Sequence, residues 1–192
     1  MVTFLRKNLW VEISKIVTKL SNQGASIIGM PCNTAHASAI IKEVDNRIPE
    51  GVMFINMIEE VIKFIQKKYP NKSKVGVLAT AGTIKSNVYN NELMKNNLQP
   101  IVLSKKKQGK LVDESIYNKD FGIKSISNPV HENVIKNIEL AIESLIDKKA
   151  DVIILGCTEL PLAINTKSYN SVPLINSTLV LAISLLTHSN PD

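Results

Sequence analysis

Short apolar runs alternate with amphipathic segments along the whole chain. Between residues 9 and 20 the apolar side chains recur every three to four positions, which predicts a helix. The next run, residues 25–30, is continuously apolar and predicts a buried strand. Further strands are predicted at 52–55, 74–79, 100–103, 151–155 and 172–175, and further helices at 34–48, 57–68, 86–95, 133–148 and 178–186. Residues 104–128 are polar and predict a loop with a short helix near 112–118.

The predicted strands are apolar on both faces and are separated by helices. Such strands are typical of parallel sheets that are covered by helices on both sides. The pattern therefore predicts an α/β fold.

Composition limits the classes of protein that this chain can belong to. Its 192 residues are 44% hydrophobic and 21% charged, which is usual for a globular domain. No apolar run approaches the roughly 20 residues that a membrane-spanning helix needs. Two cysteines are too few for a disulfide scaffold. We therefore expect a globular protein with no membrane partner.

The net charge of +6 comes almost entirely from lysine. The lysines are scattered over the predicted polar faces, and the densest cluster, at 105–107 with Lys110, has no aromatic residues between its charges. Nucleic-acid surfaces usually combine clustered charge with aromatic side chains. We predict no nucleic-acid partner, whereas a small anionic substrate fits the charge.

The chain contains a weak internal repeat. Residues 24–34 and 149–159 each run from a helix end through an apolar strand to a cysteine followed by small polar residues. Farther on, the segments at 54–56 (FIN) and 174–176 (LIN) also match. The repeat predicts two pseudosymmetric lobes, each a parallel sheet flanked by helices, with Cys32 and Cys157 at equivalent positions. We assign residues 1–73 plus 173–192 to the first lobe and residues 74–172 to the second.

The two halves of the repeat differ in length. Cys157 lies 82 residues after Val75, whereas 31 residues precede Cys32. The first lobe is therefore expected to be incomplete at its N-terminal end by roughly 50 residues, and to have one strand fewer than the second. Its open edge is expected to weaken stability and catalysis.

Each cysteine follows a predicted buried strand and precedes a predicted helix. Ligands of open α/β sheets bind at this carboxyl edge, and a helix N-terminus lowers the pKa of a thiol. Two thiols facing one carbon can remove a proton from one side and deliver a proton to the other, which inverts a stereocentre. A single cysteine here is usually a small core residue, but two at matched positions favour function. A disulfide is a weaker alternative, and without CxxC or paired histidines we predict no metal.

Residues 30–36 (MPCNTAH) and 155–162 (LGCTELPL) resemble the paired signatures of the aspartate/glutamate racemase superfamily. The first motif with its histidine, CNTxH, and the second with its glutamate, GCTE, are similar to the aspartate racemase branch. The resemblance implies a homodimer with its active site in the cleft between the lobes. It also implies cofactor-independent racemization in which Cys32 and Cys157 exchange the roles of base and acid.

The resemblance also implies which residues bind the substrate. Asn33, Thr34 and Thr158 would hold the carboxylates or the backbone around them, and Thr80 and Thr83 would line the site. Lys124 matches a position that supplies a cation, and the alternative is an exposed surface lysine. Two candidates remain. Glu159 either steers the proton of Cys157 or caps the following helix, and His36 either orients the site or has a structural role. We expect His131 and His188 on the surface.

Three functions follow from these observations. The first is a racemase of aspartate or a similar small acidic amino acid in the cytoplasm. The second is a related enzyme that uses the same two cysteines, such as a hydantoin racemase or a maleate isomerase. The third is an inactive, truncated homologue. The front of the first lobe, where this branch carries a Gly-rich turn and an arginine for the substrate carboxylate, has no counterpart in the sequence, and Arg6 does not match that arginine.

Overall fold

The computed structural model of the chain describes residues 2–190, with side chains from Val11 onward. Met1, Pro191 and Asp192, which the predicted first lobe includes, lie outside the described residues. The side chains of Arg6 and Leu9 also lie outside them.

Two sheets form the centre of the molecule. The first has two parallel strands, β1 (Ile27–Gly29) and β2 (Met53–Ile55). The second has five strands in the order β4-β3-β5-β7-β6. Its members are β3 (Lys74–Leu78), β4 (Gln99–Ile101), β5 (Val152–Leu155), β6 (Ser168–Tyr169) and β7 (Val172–Asn176). All of its pairs are parallel except β6 with β7, which confirms the predicted α/β fold of parallel sheets flanked by helices.

Helices connect and cover the strands. The helices before β3 are α1 (Val2–Asn22), a 3₁₀ helix (Asn33–His36), α2 (Ser38–Asp45) and α3 (Met57–Lys68). The helices that follow β3 are α4 (Ala81–Lys85), α5 (Val88–Lys95), α6 (Lys105–Lys107), a π-helix (Gln108–Asp113), α7 (Glu114–Tyr117), α8 (Glu132–Asp147), α9 (Leu160–Ala163) and α10 (Ser177–Ser189). No helix within residues 2–190 is both long enough and apolar enough to cross a membrane.

The internal repeat corresponds to matched strand pairs. β1 pairs with β2 as β5 pairs with β7, so the strand before each cysteine lies beside the next strand of its own repeat unit. The predicted boundary between residues 172 and 173 therefore falls inside β7, which belongs to the second sheet. The described residues form one sheet of two strands and one of five.

The matched segments at 54–56 and 174–176 end in asparagines that cap helices. The Asn56 side chain accepts hydrogen bonds from the backbone N–H groups of Ile58 and Glu59 at the start of α3. The Asn176 side chain accepts one from Leu179 at the start of α10. An asparagine cap satisfies donors that the first turn of a helix leaves unpaired. The repeat thus preserves a strand-to-helix junction as well as a cysteine.

Helices α3 and α10 connect the two sheets. Buried residues of α3, such as Val61 and Ile65, share a hydrophobic cluster with Val75 of β3 and Val152 of β5. Leu181 of α10 packs with Ile55 of β2 in a separate cluster. Each of the two helices thus packs against strands of the other repeat unit, and apolar burial makes one unit depend on the other.

Three predicted elements differ from the structure. The helix predicted over 34–48 is broken at Ala37, whose φ of −53° and ψ of 134° separate the 3₁₀ helix from α2. The helix predicted over 86–95 begins only at Val88, because Asn87 adopts a left-handed conformation with φ +56°. The short helix predicted near 112–118 extends back to residue 105 where a loop was predicted, because the buried side chains of 105–117 pack on the second sheet.

Candidate functional site

A cavity of about 90 Å³ lies at the carboxyl ends of β1, β3 and β5. Nine of the ten candidates from the sequence line it: Cys32, Asn33, Thr34, Thr80, Thr83, Lys124, Cys157, Thr158 and Glu159. The tenth, His36, is not part of the lining. Tyr117 and Gly156 complete its lining. The topology brings these residues together because parallel strands end at the same edge of a sheet.

Cys32 lies between β1 and the 3₁₀ helix, and its thiol is free and exposed. Its backbone carbonyl is 2.9 Å from Nδ1 of His36. The other ring nitrogen of His36, Nε2, accepts a hydrogen bond of 3.3 Å from the backbone N–H of Met57. These two contacts select the neutral tautomer with the proton on Nδ1. His36 therefore holds the Cys32 loop against the start of α3.

Cys157 follows β5 and is also a free thiol, only partly exposed. Its Sγ donates a hydrogen bond of 2.8 Å to Oε2 of Glu159, which also accepts one of 2.9 Å from the Thr158 hydroxyl. The other oxygen, Oε1, forms an ion pair of 3.3 Å with Nζ of Lys124. The Glu159 carboxylate thus connects the thiol to the cation of the site.

Burial is the main cause that raises the pKa of Cys157 to about 12, and the hydrogen bond and negative charge of Glu159 raise it further. The sequence predicted the opposite effect, a lowered pKa at a helix N-terminus. That prediction is wrong because the thiol is buried, the nearest charge is a carboxylate, and the following helix, α9, has only four residues. Cys157 is therefore a protonated thiol at neutral pH.

The charges of Glu159 and Lys124 stabilise each other. Burial alone would raise the pKa of Glu159, but hydrogen bonds from Cys157 and Thr158 and the charge of Lys124 lower it overall. The hydrogen bond to Glu159 and its charge raise the pKa of Lys124. Lys124 also lies 5.4 Å from the ring centroid of Tyr117, and half of its side chain is exposed. A ligand carboxylate can therefore reach this ammonium group.

Three threonines connect the two repeat units at the cavity. The Thr34 and Thr83 hydroxyl oxygens are 2.7 Å apart, and Thr80 and Thr83 are 3.3 Å apart. Two side chains of the π-helix form hydrogen bonds to the turn that carries Thr80 and Thr83. Gln108 donates to the Ala79 carbonyl at 2.7 Å, and Asp113 accepts from the Ala81 N–H at 2.8 Å.

Asn33 lies beside Cys32 and is 3% exposed. Its Oδ1 accepts a hydrogen bond of 2.5 Å from the hydroxyl of Tyr89, which is buried in α5. Its Nδ2 is buried and has no hydrogen-bond partner among the described residues.

Sequence reasoning missed Tyr89, Tyr117, Gln108 and Asp113. They come from segments outside the two cysteine motifs, and nothing in their local sequence signals a contact with the site. His36, by contrast, is buried and structural, while His131 and His188 are exposed as predicted.

A larger cavity of about 640 Å³ lies along α1, away from the cysteines. Its lining includes Ser14, Lys15 and Thr18 but neither thiol. The larger of these two cavities is therefore not the one that contains the two thiols. Within the described part of the chain, no group of three or more His, Cys, Asp or Glu residues is placed to hold a metal ion.

The chain thus combines an α/β fold of sheets flanked by helices with one thiol from each repeat unit in the same cavity. A model of the family described as Asp/Glu/Hydantoin racemase matches residues 6–185. The chain therefore belongs to the Asp/Glu/Hydantoin racemase family.

Individual relatives agree with this assignment. The chain is 30% identical over 169 residues to the broad specificity amino-acid racemase RacX of Bacillus subtilis, covering 88% of this chain and 67% of that protein. It is 29% identical to the glutamate racemase of Aquifex pyrophilus, covering 86% of this chain and 59% of that protein. The solved structure of Picrophilus torridus aspartate racemase matches with a TM-score of 0.70 and 26% identity, over 93% of this chain and 68% of that one. The chain thus spans about three fifths to two thirds of the length of these relatives.

Proposed function

We propose that this protein is a cofactor-independent amino-acid racemase that acts on aspartate or a similar acidic amino acid. The observation that supports this proposal best is that Cys32 and Cys157, from the two repeat units, line one small cavity together with the cation Lys124. Two proton-transfer groups and a carboxylate-binding cation are what the inversion of an acidic amino acid requires.

The hydrogen bond that keeps the proton on Cys157 supports the following roles in one direction. The Cys32 thiolate takes the α-proton, which forms the Cys32 S–H bond and leaves the electron pair on the α-carbon and its carboxylate. The Cys157 thiol then gives its proton to the opposite face of the same carbon. The configuration is inverted, and Cys32 is left protonated and Cys157 ionised.

The reverse direction starts from an ionised Cys157. Glu159 is the nearest acceptor for the Cys157 proton, at 2.8 Å. We infer that in this direction Cys157 first loses its proton to solvent, because the lowered pKa of Glu159 keeps its carboxylate ionised as the acceptor of the thiol hydrogen bond. Glu159 itself does not touch the substrate in this mechanism and is a positioning residue.

Lys124 supports the preference for an acidic side chain. Its ammonium group forms an ion pair with Glu159. A substrate side-chain carboxylate would replace part of this ion pair with its own, whereas an uncharged side chain cannot form an ion pair with Lys124. Asn33, Thr34, Thr80, Thr83 and Thr158 would supply hydrogen-bond donors for the remaining polar groups.

We also propose a homodimer, as the family resemblance implies. Leu179, Ile183 and Leu186 are exposed at helical spacing along α10, and an apolar stripe of this kind is typical of a contact surface. Light scattering over a concentration series tests this, with a monomer at every concentration as the contrary result. A cytoplasmic location is proposed because two free thiols persist best under reducing conditions.

The activity is tested by incubating the 192-residue chain with L-aspartate in deuterium oxide without pyridoxal phosphate. We expect the α-proton to exchange for deuterium and D-aspartate to appear. Cys32→Ser and Cys157→Ser should each remove at least about 99% of racemization, because a serine hydroxyl is a far weaker base than a thiolate.

Glutamate, alanine and a 5-substituted hydantoin serve as comparison substrates in the same assay. Inversion of hydantoin alone would assign the related enzyme instead, and no exchange with any substrate would contradict the racemase. Full activity of either serine variant would exclude the two-thiol mechanism.

A further inference from the structure

Tyr89 lies behind the site and touches the segments of both cysteines. Its hydroxyl bonds to Asn33, the residue after Cys32. Its ring packs against Gly156, the residue before Cys157, where a Cβ atom would lie only 3.0 Å from Cε2 of Tyr89. One buried side chain of α5 therefore contacts both halves of the repeat.

The Asn33 amide is only half satisfied. Its oxygen is taken by Tyr89, while its nitrogen is buried and has no acceptor among the described residues. A buried amide N–H without a partner is costly, and a group of this kind at a binding site is available for a bound ligand. Asn33 lines the cavity that contains both thiols, so an anionic ligand there is in position to accept this hydrogen bond.

We propose that Tyr89 is a positioning residue, whose hydroxyl fixes the orientation of the Asn33 amide so that Nδ2 donates to a carboxylate of the bound ligand. The identity of that ligand as an amino acid rests on the proposed function. The orientation of the amide rests on the contacts of Tyr89 alone.

The chemistry of the Asn33 amide and the Tyr89 hydroxyl explains why the amide presents its nitrogen to the ligand. An asparagine amide can rotate by half a turn and present either its oxygen or its nitrogen. The Tyr89 hydroxyl donates to the oxygen, which leaves the nitrogen for the ligand. Burial raises the pKa of Tyr89 far above its usual value, so the hydroxyl keeps its proton at neutral pH and remains a donor. An unfixed amide would also present its oxygen, which repels a carboxylate.

The test uses Tyr89→Phe, which keeps the ring against Gly156 and removes only the hydroxyl. In ¹⁵N-labelled protein, the Asn33 side-chain amide signal is identified by its loss in Asn33→Ala, and succinate serves as an unreactive dicarboxylate probe. We expect succinate to shift this signal in the wild type. Tyr89→Phe should change the signal and weaken succinate binding by about tenfold, as expected for the loss of one buried hydrogen bond.

A double-mutant cycle shows whether Tyr89 acts through Asn33. Asn33→Ala should weaken succinate binding to a similar extent, and the double variant should be no weaker than Asn33→Ala alone. Tyr169→Phe, which removes a hydroxyl bonded to Glu143 away from the cavity, should change neither the signal nor the affinity. For racemization, we expect Tyr89→Phe to raise KM about tenfold and to change kcat less.

Several results would overturn the proposal. These are an Asn33 signal that succinate does not shift in the wild type, an unchanged signal and affinity in Tyr89→Phe, and additive losses in the double variant. An inactive chain that nevertheless shows the expected succinate results contradicts only the racemase. An active chain that is indifferent to Tyr89→Phe contradicts only the role of Tyr89.

Discussion

The Glu159 side chain helps to keep the thiol beside it protonated. Two of the three causes that raise the pKa of Cys157 to about 12 come from Glu159, and the largest, burial, does not depend on it. Removing the negative charge while keeping the shape of the side chain should therefore lower this pKa without restoring an ordinary value.

We predict that Glu159→Gln increases the rate at which iodoacetamide alkylates Cys157 at pH 9. A pKa lowered by one unit gives about ten times more thiolate below the pKa. The rate is measured by mass spectrometry of the modified peptides, and Cys32 in the same sample is the internal control. An unchanged Cys157 rate would mean that the hydrogen bond to Glu159 does not hold the proton.

His36 shows how a residue of the first cysteine motif acts through structure. Burial lowers its pKa, while the hydrogen bond to the Cys32 carbonyl opposes this effect. The folded state therefore binds this proton more weakly than the unfolded state does. The stability that neutral His36 contributes is present above its unfolded pKa of roughly 6.5 and is lost as the pH falls through the folded pKa.

We predict that His36→Leu lowers the free energy of unfolding at pH 7.5 by about 2 kcal/mol, because the Met57 N–H and the Cys32 carbonyl lose their partner. The difference from the wild type should shrink between pH 7 and pH 5. Urea unfolding at each pH measures it. His188→Gln, at an exposed histidine, is the control and should show a small difference at all pH values. A constant His36→Leu difference would contradict a neutral, buried imidazole.

At the scale of elements, the turn after α7 presents Lys124 to the cavity. Its backbone is anchored to α7, since Ile123 and Lys124 donate to the carbonyls of Ser115 and Ile116. The turn closes tightly at Gly122, where a Cβ atom would lie 2.5 Å from the carbonyl oxygen of Asn118. Only glycine fits at this distance without moving the backbone.

We predict that Gly122→Ala destabilises the protein by about 2 kcal/mol or more and weakens the binding of acidic ligands, because the turn and Lys124 must shift. Gly109→Ala is the matched control, since nothing lies within 4 Å of a Cβ atom at that helical glycine. This control should be neutral or slightly stabilising. Thermal unfolding and succinate titration measure both effects, and equal behaviour of the two variants would refute the steric argument.

At the scale of the whole molecule, α3 and α10 make the two sheets interdependent. Leu181 is 2% exposed and packs with Ile55 and Met57, whereas its neighbour Val180 belongs to the cluster of the second sheet. A single helix therefore contributes to both cores, and the two repeat units should unfold together.

We predict that Leu181→Ala costs about 2–4 kcal/mol and lowers one common transition for both sheets. Hydrogen exchange of the β1 and β5 amides follows the two sheets separately. Leu140→Ala on α8 is the control, because this side chain is 50% exposed, lies outside the proposed contact stripe of α10 and should cost less than about 0.5 kcal/mol. Loss of protection in β1 alone would show that the sheets are independent.

The sequence by itself determined the strands, most helices and the candidate residues of the site. The periodicity of apolar residues and the repeated strand-Cys pattern are local signals. Cys32 and Cys157 each follow the equivalent strand of their own repeat unit. Only the tertiary structure decided the rest. Four features depend on segments that are far apart in the chain. They are the pairing of β7 with β5, the packing of α3 and α10 against strands of the other repeat unit, the raised pKa of Cys157, and the contact of Tyr89 with Asn33. Local patterns carry no information about which distant group supplies a hydrogen bond or a charge, and these groups set the chemistry of the thiols.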